Sequence, residues 1–265
     1  MFKLKCILPV QVFILSFLLS TMVNAQKTDW LIQPTVKKAV ISIQNNQLTL
    51  DNGLVRREFL LSPNASCISY KNLSNGQELL RSIEPEARLV LNGASYNVGG
   101  LSGQKEKAYL RLEVENNLQK KDSDFVFTNY TISDIKPFIN WKPNTWLTNP
   151  NQANGKSVTL EFISNLPALK YIMVQVHYEL YDGLPLITKW VSVENKSNAS
   201  IKINRVVNEV MGLVEEESAV VGKPEEMKKQ HGIYFETNYA FNNAMRYDIS
   251  AVSYTHLTLP TKRIV

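Results

Sequence analysis

The chain has 265 residues, of which 44% are hydrophobic and 20% charged, so it is long enough to bury the core of one large domain. Its formal net charge is +5. Four of its basic residues lie in two end segments that are not expected to belong to the folded domain, namely Lys3, Lys5, Lys262 and Arg263. Without these four residues the net charge is about +1. Since the remainder shows no basic cluster either, nucleic acid is excluded as an expected partner.

The first 25 residues predict a cleavable signal peptide. Lys3 and Lys5 precede an apolar stretch over residues 7–19, and Val23-Asn24-Ala25 suits cleavage before Gln26. A retained membrane anchor is the alternative, but the apolar stretch is shorter than the roughly 20 residues that a spanning helix needs. We therefore expect a periplasmic or extracellular protein that has no contact with the membrane after cleavage.

Alternating apolar and polar residues begin at residue 47 and predict short strands. Two such runs flank Asn52-Gly53, a dipeptide that tolerates positive φ at both central positions of a type I′ turn, so we expect a β-hairpin there. Asn75-Gly76 and Asp182-Gly183 give weaker signals of the same kind.

Residues 26–251 contain a single cysteine, Cys67, so an intramolecular disulfide and a zinc site of paired cysteines are excluded. It lies in the apolar stretch Cys67–Tyr70, where a small buried side chain is expected rather than a catalytic thiol. The glycines of Gly99–Gly103 are not followed by a helical pattern, which a phosphate-binding loop requires. They indicate a tight turn or a close backbone approach instead.

Residues 134–156 predict a long irregular loop, and loops of this length are usually functional or disordered. Trp141 and Trp146 lie in it, with Asn140 and Lys142 close by. Aromatic faces pack on sugar C–H surfaces, while amides and lysines bind hydroxyl groups. The four residues are therefore candidate substrate-binding residues for a saccharide; alternatively, the tryptophans hold the loop against the sandwich.

The clearest strand pattern covers Met173–Tyr181, with Val174, Val176, Tyr178 and Leu180 on a buried face and the other residues facing water. Residues 186–194 and 201–210 follow as further strands, which predicts a three-stranded meander. His177 and Glu179 share the wet face, where they could act as general acid and base or be simply solvated.

The end of the chain departs from this pattern. A short helix is predicted at residues 224–229. Beyond it, Val252–Thr261 resembles a translated sequencing adapter, so we treat residues 252–265 as an artefactual tail and expect the gene product to be interrupted near Ala251. The predicted organisation is a signal peptide at 1–25, a β-domain truncated at its C-terminal end at 26–251, and the tail.

Several stretches within residues 45–215 together resemble the N-terminal supersandwich domain of family-36-type α-galactosidases and related bacterial glycoside hydrolases. They are Asp51–Phe59, Pro85–Arg88 with Tyr96–Leu101, and Tyr178–Leu186, which leads into Val193-Glu194-Asn195 and then Glu209. Galactose-mutarotase-like sandwich domains of other enzymes contain similar sequence stretches. The alternation along the chain predicts an all-β fold, a large antiparallel β-sandwich with very little helix, and the resemblance implies that this sandwich is a supersandwich of the galactose-mutarotase type.

In that family the sandwich packs on a (β/α)₈ barrel that holds both catalytic aspartates, whose retaining chemistry needs two carboxyl groups about 5 Å apart. No residue of this chain matches those aspartates, so we assign no catalytic residue, no cofactor and no metal. The expected function is that of a non-catalytic accessory domain, with carbohydrate and the missing C-terminal catalytic domain of the same chain as partners. A stand-alone carbohydrate-binding module and a mutarotase-like epimerase using His177 and Glu179 remain the alternatives.

Overall fold

A computed structural model describes residues 35–104, 117–137, 154–213 and 233–235 of the chain. In these residues the chain forms fourteen strands and a 3₁₀ turn at Pro167–Leu169. In chain order the strands are β1 Val40–Gln44, β2 Gln47–Asp51, β3 Val55–Leu60, β4 Ser66–Asn72, β5 Gln77–Glu78, β6 Leu80–Ser82, β7 Ala87–Leu91, β8 Ala94–Val98, β9 Phe125–Asp134, β10 Gly155–Ser164, β11 Ile172–Tyr181, β12 Ile187–Asn195, β13 Ile203–Val207 and β14 Gly212–Leu213.

Two large sheets form a sandwich, which confirms the predicted all-β class. The first sheet has the order β1-β2-β3-β4-β5, and the second has the order β12-β11-β10-β9-β8-β7-β13. A third, two-stranded sheet pairs β14 with β6. The pairings are antiparallel except for one parallel contact between β8 and β9, at Val98 and Phe125. The fold is therefore an antiparallel sandwich with one mixed sheet.

The core lies between the two sheets and follows from the alternation in the sequence. In β11, the side chains of Val174, Val176, Tyr178 and Leu180 are fully buried, as predicted. The ring of Phe59 from β3 packs on that of Tyr178, with centroids 5.2 Å apart. Since β3 belongs to the first sheet and β11 to the second, this aromatic pair joins the two layers.

The predicted hairpin at Asn52-Gly53 is present, because β2 and β3 pair antiparallel, but the predicted type I′ turn is wrong. Only Gly53 has positive φ; Asn52 instead accepts two backbone N–H groups with its Oδ1, those of Leu54 and Val55. Its Nδ2 donates to the carbonyl of Tyr181, so the turn is shaped by a distant strand. Turns with positive φ at both central residues occur at Asn45-Asn46 and Asn92-Gly93.

The predicted three-stranded meander is also wrong. Strands β11 and β12 pair as expected, but β13 pairs with β7 at the opposite edge of the second sheet. The side-chain amide of Asn208, just after β13, donates to the carbonyl of Lys189 in β12. The two edges of the second sheet therefore approach each other, as they do when a sheet curls. A short connection can therefore reach the far edge.

The interpretation of Gly99–Gly103 as a close backbone approach is confirmed. Gly99 and Gly100 both have positive φ, at 64° and 85°. A Cβ on Gly99 would lie 2.5 Å from the carbonyl oxygen of Ala65, and one on Gly100 would lie 2.8 Å from Cα of Pro85. Only glycine fits where this loop lies against Ala65 and Pro85.

The predicted signal peptide, the helix at residues 224–229 and the C-terminal tail lie outside the described residues and stay predictions. Within the described ranges, no helix combines the length and the apolar character that crossing a membrane requires.

Candidate functional site

Five polar side chains from distant parts of the sequence meet between the two sheets, and we name them the buried ion cluster. They are Arg57 of β3, Glu86 just before β7, Tyr178 of β11, Lys189 of β12, and Glu209 shortly after β13. The side chains of Arg57, Glu86 and Lys189 are 3%, 1% and 6% exposed, whereas that of Glu209 is 23% exposed. The cluster is thus interior, with Glu209 nearest to solvent.

Arg57 lies at the centre of the cluster. Its two terminal nitrogens donate to the two carboxylate oxygens of Glu209 over 2.9 and 3.2 Å, the bidentate geometry that suits a guanidinium. Its guanidinium also lies 5.3, 5.4 and 5.0 Å from the ring centroids of Phe59, Tyr70 and Tyr178, close enough for cation–π attraction. Carboxylate and aromatic rings therefore replace water around the charge.

Glu86 ties both sheets to the cluster. One carboxylate oxygen accepts the backbone N–H of Cys67 in β4 over 2.7 Å, and the other accepts a short hydrogen bond from the hydroxyl of Tyr178. Lys189 donates to the backbone carbonyl of Glu86 and, over 2.9 Å, to a carboxylate oxygen of Glu209. Every member thus touches at least one other member from a different strand or loop.

The charges in the cluster balance, with two cations and two carboxylates. Burial acts to raise the pKa of Glu209, but Arg57 and Lys189 outweigh it and hold that pKa below its ordinary value. Burial acts to lower the pKa of Arg57, yet its neighbours, Glu209 foremost, leave it well above its ordinary value. Burial raises the pKa of Tyr178. Arg57 and Glu209 therefore stay charged, and the phenol of Tyr178 stays protonated.

One polar atom of the cluster is unsatisfied. Among the described residues, Nε of Arg57 is buried and has no hydrogen-bond partner. An unmatched donor in the interior costs free energy, typically about 1–3 kcal/mol. The other contacts of the Arg57 guanidinium must offset this cost.

The stretches that carry the family resemblance supply four of the five members. Arg57 comes from the first stretch, Glu86 from the second and Tyr178 from the third, and Glu209 ends the series. None of the five was predicted as a site residue from the sequence, and Lys189 also lies outside the resemblance stretches. Its signal is a charged residue in register with Ile187 and Val191, on the core-facing side of β12.

A second polar group lies on the outer face of the second sheet, and we name it the outer array. Nδ1 of His177 lies 2.9 Å from Oγ1 of Thr159, and its Nε2 lies 2.7 Å from Oγ of Ser192. Trp190 is the cross-strand partner of His177, and the two rings stack at 4.8 Å with an angle of 7°. Burial lowers the pKa of His177 and so favours the neutral ring.

The prediction that this face of β11 is wet is wrong for Glu179, which is only 4% exposed. Its carboxylate accepts hydrogen bonds from the hydroxyls of Tyr181 and Thr188, at 2.7 and 3.1 Å. Both nitrogens of His177 are likewise engaged. This geometry favours a structural role for His177 and Glu179 over the acid–base pair of the epimerase alternative.

The four predicted substrate-binding residues, Trp141, Trp146, Asn140 and Lys142, lie outside the described residues. The strands that flank their loop are described, since β9 ends at Asp134 and β10 begins at Gly155. A cleft of about 500 Å³ opens at these strand ends. It is lined by Lys38, Ala39, Asp134, Ile135, Asn154, Gly155, Lys156 and Asp182. We name it the strand-end cleft.

Over the part of the chain that the structure describes, no group of three or more histidine, cysteine, aspartate or glutamate side chains is arranged to hold a metal ion. Cys67 is buried, as predicted, and burial raises the pKa of its thiol to about 12. A thiol with that pKa is an inert packing group at neutral pH.

No family model matches the chain, and no curated protein sequence matches it. Among solved structures, the chain is similar to the GH36 alpha-galactosidase AgaB from Geobacillus stearothermophilus, with a TM-score of 0.38 and 14% sequence identity. The similarity covers 65% of this chain and 24% of that one, so the chain spans about a quarter of the length of that enzyme.

Proposed function

We propose that the chain is the non-catalytic accessory β-sandwich of an exported glycoside hydrolase of the α-galactosidase type, acting beside a catalytic domain that follows it in the same protein. The observation that carries the proposal is the meeting of the resemblance stretches in the buried ion cluster. Arg57, Glu86, Tyr178 and Glu209 are far apart in sequence, yet all four contact one another through direct or shared partners.

The chemistry of the cluster supports an accessory role. Catalytic carboxyl groups of a retaining glycosidase flank a space that admits the sugar, about 5 Å apart. The carboxylate of Glu86 is 1% exposed and bound by Tyr178 and Cys67, so no sugar can reach it. Glu209 is held by Arg57 and Lys189. These carboxylates stabilise the sandwich instead of flanking a substrate.

Recovery of the uninterrupted gene tests the proposal. We would sequence the gene beyond the codon for Ala251, produce the whole protein, and compare it with the 265-residue chain in hydrolysis of p-nitrophenyl α-D-galactopyranoside. We expect a reading frame that continues into a barrel with two aspartates at strand ends, activity in the whole protein, and background rates in the chain. A frame without a barrel, or hydrolysis by the chain alone, would overturn the proposal.

A further inference from the structure

The strand-end cleft lies apart from both polar groups described above. Its floor and walls come from the ends of β9, β10 and β11 and from Lys38 and Ala39, which precede β1. A volume of about 500 Å³ is within the range of small-ligand sites. The cleft thus has room for a small polar molecule at one end of the second sheet.

The backbone around the cleft is held in place before any ligand arrives. Oδ1 of Asp182 accepts the backbone N–H of Ala39 over 2.8 Å, and the N–H of Asp182 donates to the carbonyl of Asn154 over 2.9 Å. A Cβ on Gly155 would collide with the carbonyl oxygen of Leu180, so the chain approaches β11 as closely as glycine allows. A fixed lining reduces the ordering cost of binding.

The lining favours a neutral, hydroxyl-rich ligand. Two lysines and two aspartates cancel in charge, and Asn154 adds an amide that both donates and accepts. An anion such as phosphate would need an excess of positive charge, and an apolar ligand would need aromatic or aliphatic walls. Donors and acceptors in similar number, close together and without net charge, match the hydroxyl groups of a sugar.

One contact in the cleft is easily exchanged for a ligand. Lys156 and Asp134 pair at 2.6 Å, but their side chains are 45% and 77% exposed. Exposed ion pairs contribute little to the stability of a protein, so hydroxyl groups that bridge the two side chains can replace the direct contact at little cost in free energy.

We propose that the strand-end cleft is a binding site for a neutral saccharide, using Lys38, Lys156 and Asn154 as donors and Asp134 and Asp182 as acceptors. The choice of saccharide over other polyhydroxylated ligands rests on the proposed function. The site would bind one sugar unit of a glycan without cleaving that glycan.

Titration of the ¹⁵N-labelled full chain with raffinose, followed by backbone amide shifts, tests the inference. We expect saturable shifts at Gly155, Lys156 and Asp182 with a Kd of order 1 mM, as suits a few exposed polar contacts. The variant Lys156→Met should weaken binding about tenfold, the effect of losing one charged hydrogen bond. Lys196→Met is the matched control, since Lys196 is 55% exposed and pairs with Glu194 at 3.4 Å; its affinity should equal that of the wild type.

The inference would be overturned by no shifts at a 50-fold excess over the expected Kd, by shifts centred on the outer array around His177, or by equal weakening of binding in both lysine variants. A parallel titration with sodium phosphate should leave these amides unmoved, and saturation by phosphate would show an anion site instead. The result is separate from the test of the proposed function, because raffinose binding is measured on this chain and hydrolysis on the whole protein.

Discussion

Strands β11 and β12 contribute to two polar groups of opposite character, one on each face of the second sheet. On the inner face, Tyr178 and Lys189 belong to the buried ion cluster, where charges meet in an apolar interior. On the outer face, His177 and Trp190 belong to the outer array, where neutral groups share hydrogen bonds and ring contacts. On each strand, two adjacent residues thus belong to different polar groups.

The difference lies in what each group loses when one member is removed. In the buried ion cluster a missing partner leaves a charge that water cannot reach, which is costly. In the outer array the remaining neutral groups lie near solvent, and water can replace the lost hydrogen bond. We therefore expect the stability of the sandwich to depend more on the interior charges than on the outer array.

The largest loss of stability is expected for Arg57→Met in the buried ion cluster. Removing the cation leaves Glu209 and Glu86 close together with only Lys189 to balance them, and we expect a loss of about 3–5 kcal/mol in the free energy of unfolding. Urea denaturation of the variant and of the wild type measures this loss. The matched control is Arg56→Met, because Arg56 is the next residue and pairs with Asp51 at a side-chain exposure of 39%. That variant should lose no more than about 1 kcal/mol; equal losses would contradict the account.

Glu209→Gln should cost less and should change the response to acid. The pKa of Glu209 is lowered in the folded protein, so its contribution is present above the ordinary value of 4.5 and is lost as the pH falls through the lower folded pKa. At pH 7 we expect a loss of about 1.5–3 kcal/mol, the range for a hydrogen bond to a charged group.

Denaturation of wild type and Glu209→Gln at a series of pH values below 5 checks this prediction. The stability difference between them should shrink as the solution becomes more acidic. A difference that stays constant over that range would show that the charge of Glu209 does not support the fold.

Tyr178→Phe should have a smaller effect because the ring and its packing on Phe59 are retained. The variant removes only the hydroxyl that donates to Glu86, whose carboxylate keeps the N–H of Cys67. We expect a loss of about 1–3 kcal/mol, measured by urea denaturation. A variant as stable as the wild type would indicate that this hydrogen bond is not needed to satisfy Glu86.

The smallest contribution to stability is expected from His177 in the outer array. Burial lowers the pKa of His177 in the folded protein below its ordinary value of 6.5. As the pH falls, the unfolded chain is therefore protonated at His177 before the folded protein is. The contribution of His177 to stability is present above pH 6.5 and is lost as the pH falls from there through the lower folded pKa. Imidazole shifts in an NMR titration should give a folded pKa below 6.5, with His177→Asn used for assignment. A pKa above 6.5 would favour a functional acid–base role.

Much of the fold follows from local pattern. The alternation in β11 predicts its four core residues correctly. The glycines at 99–103, with no helical pattern after them, predict a tight turn or a close backbone approach, and the structure shows the close approach at Gly99 and Gly100. Partners far apart in the sequence were not predictable. The pairing of β13 with β7 depends on the curl of the whole sheet, and the turn at Asn52 depends on the carbonyl of Tyr181.

The candidate site divides in the same way. Arg57 and Lys189 interrupt the apolar face of their strands, which is a readable sign of a buried charge. Which carboxylates they meet depends on loops at residues 86 and 209, and no period in the sequence specifies that. Alternation predicts that Glu179 faces water, because it gives the face of a side chain and not what covers that face, and the side chain is in fact buried.

A double-mutant cycle between Arg57→Met and Glu209→Gln measures how strongly these two side chains are coupled in the folded protein. If the buried ion cluster joins the two sheets through this pair, the loss in the double variant should fall short of the summed single losses by about 2 kcal/mol, well within the range for contacting charged residues. Additive losses, within about 0.5 kcal/mol, would contradict the account.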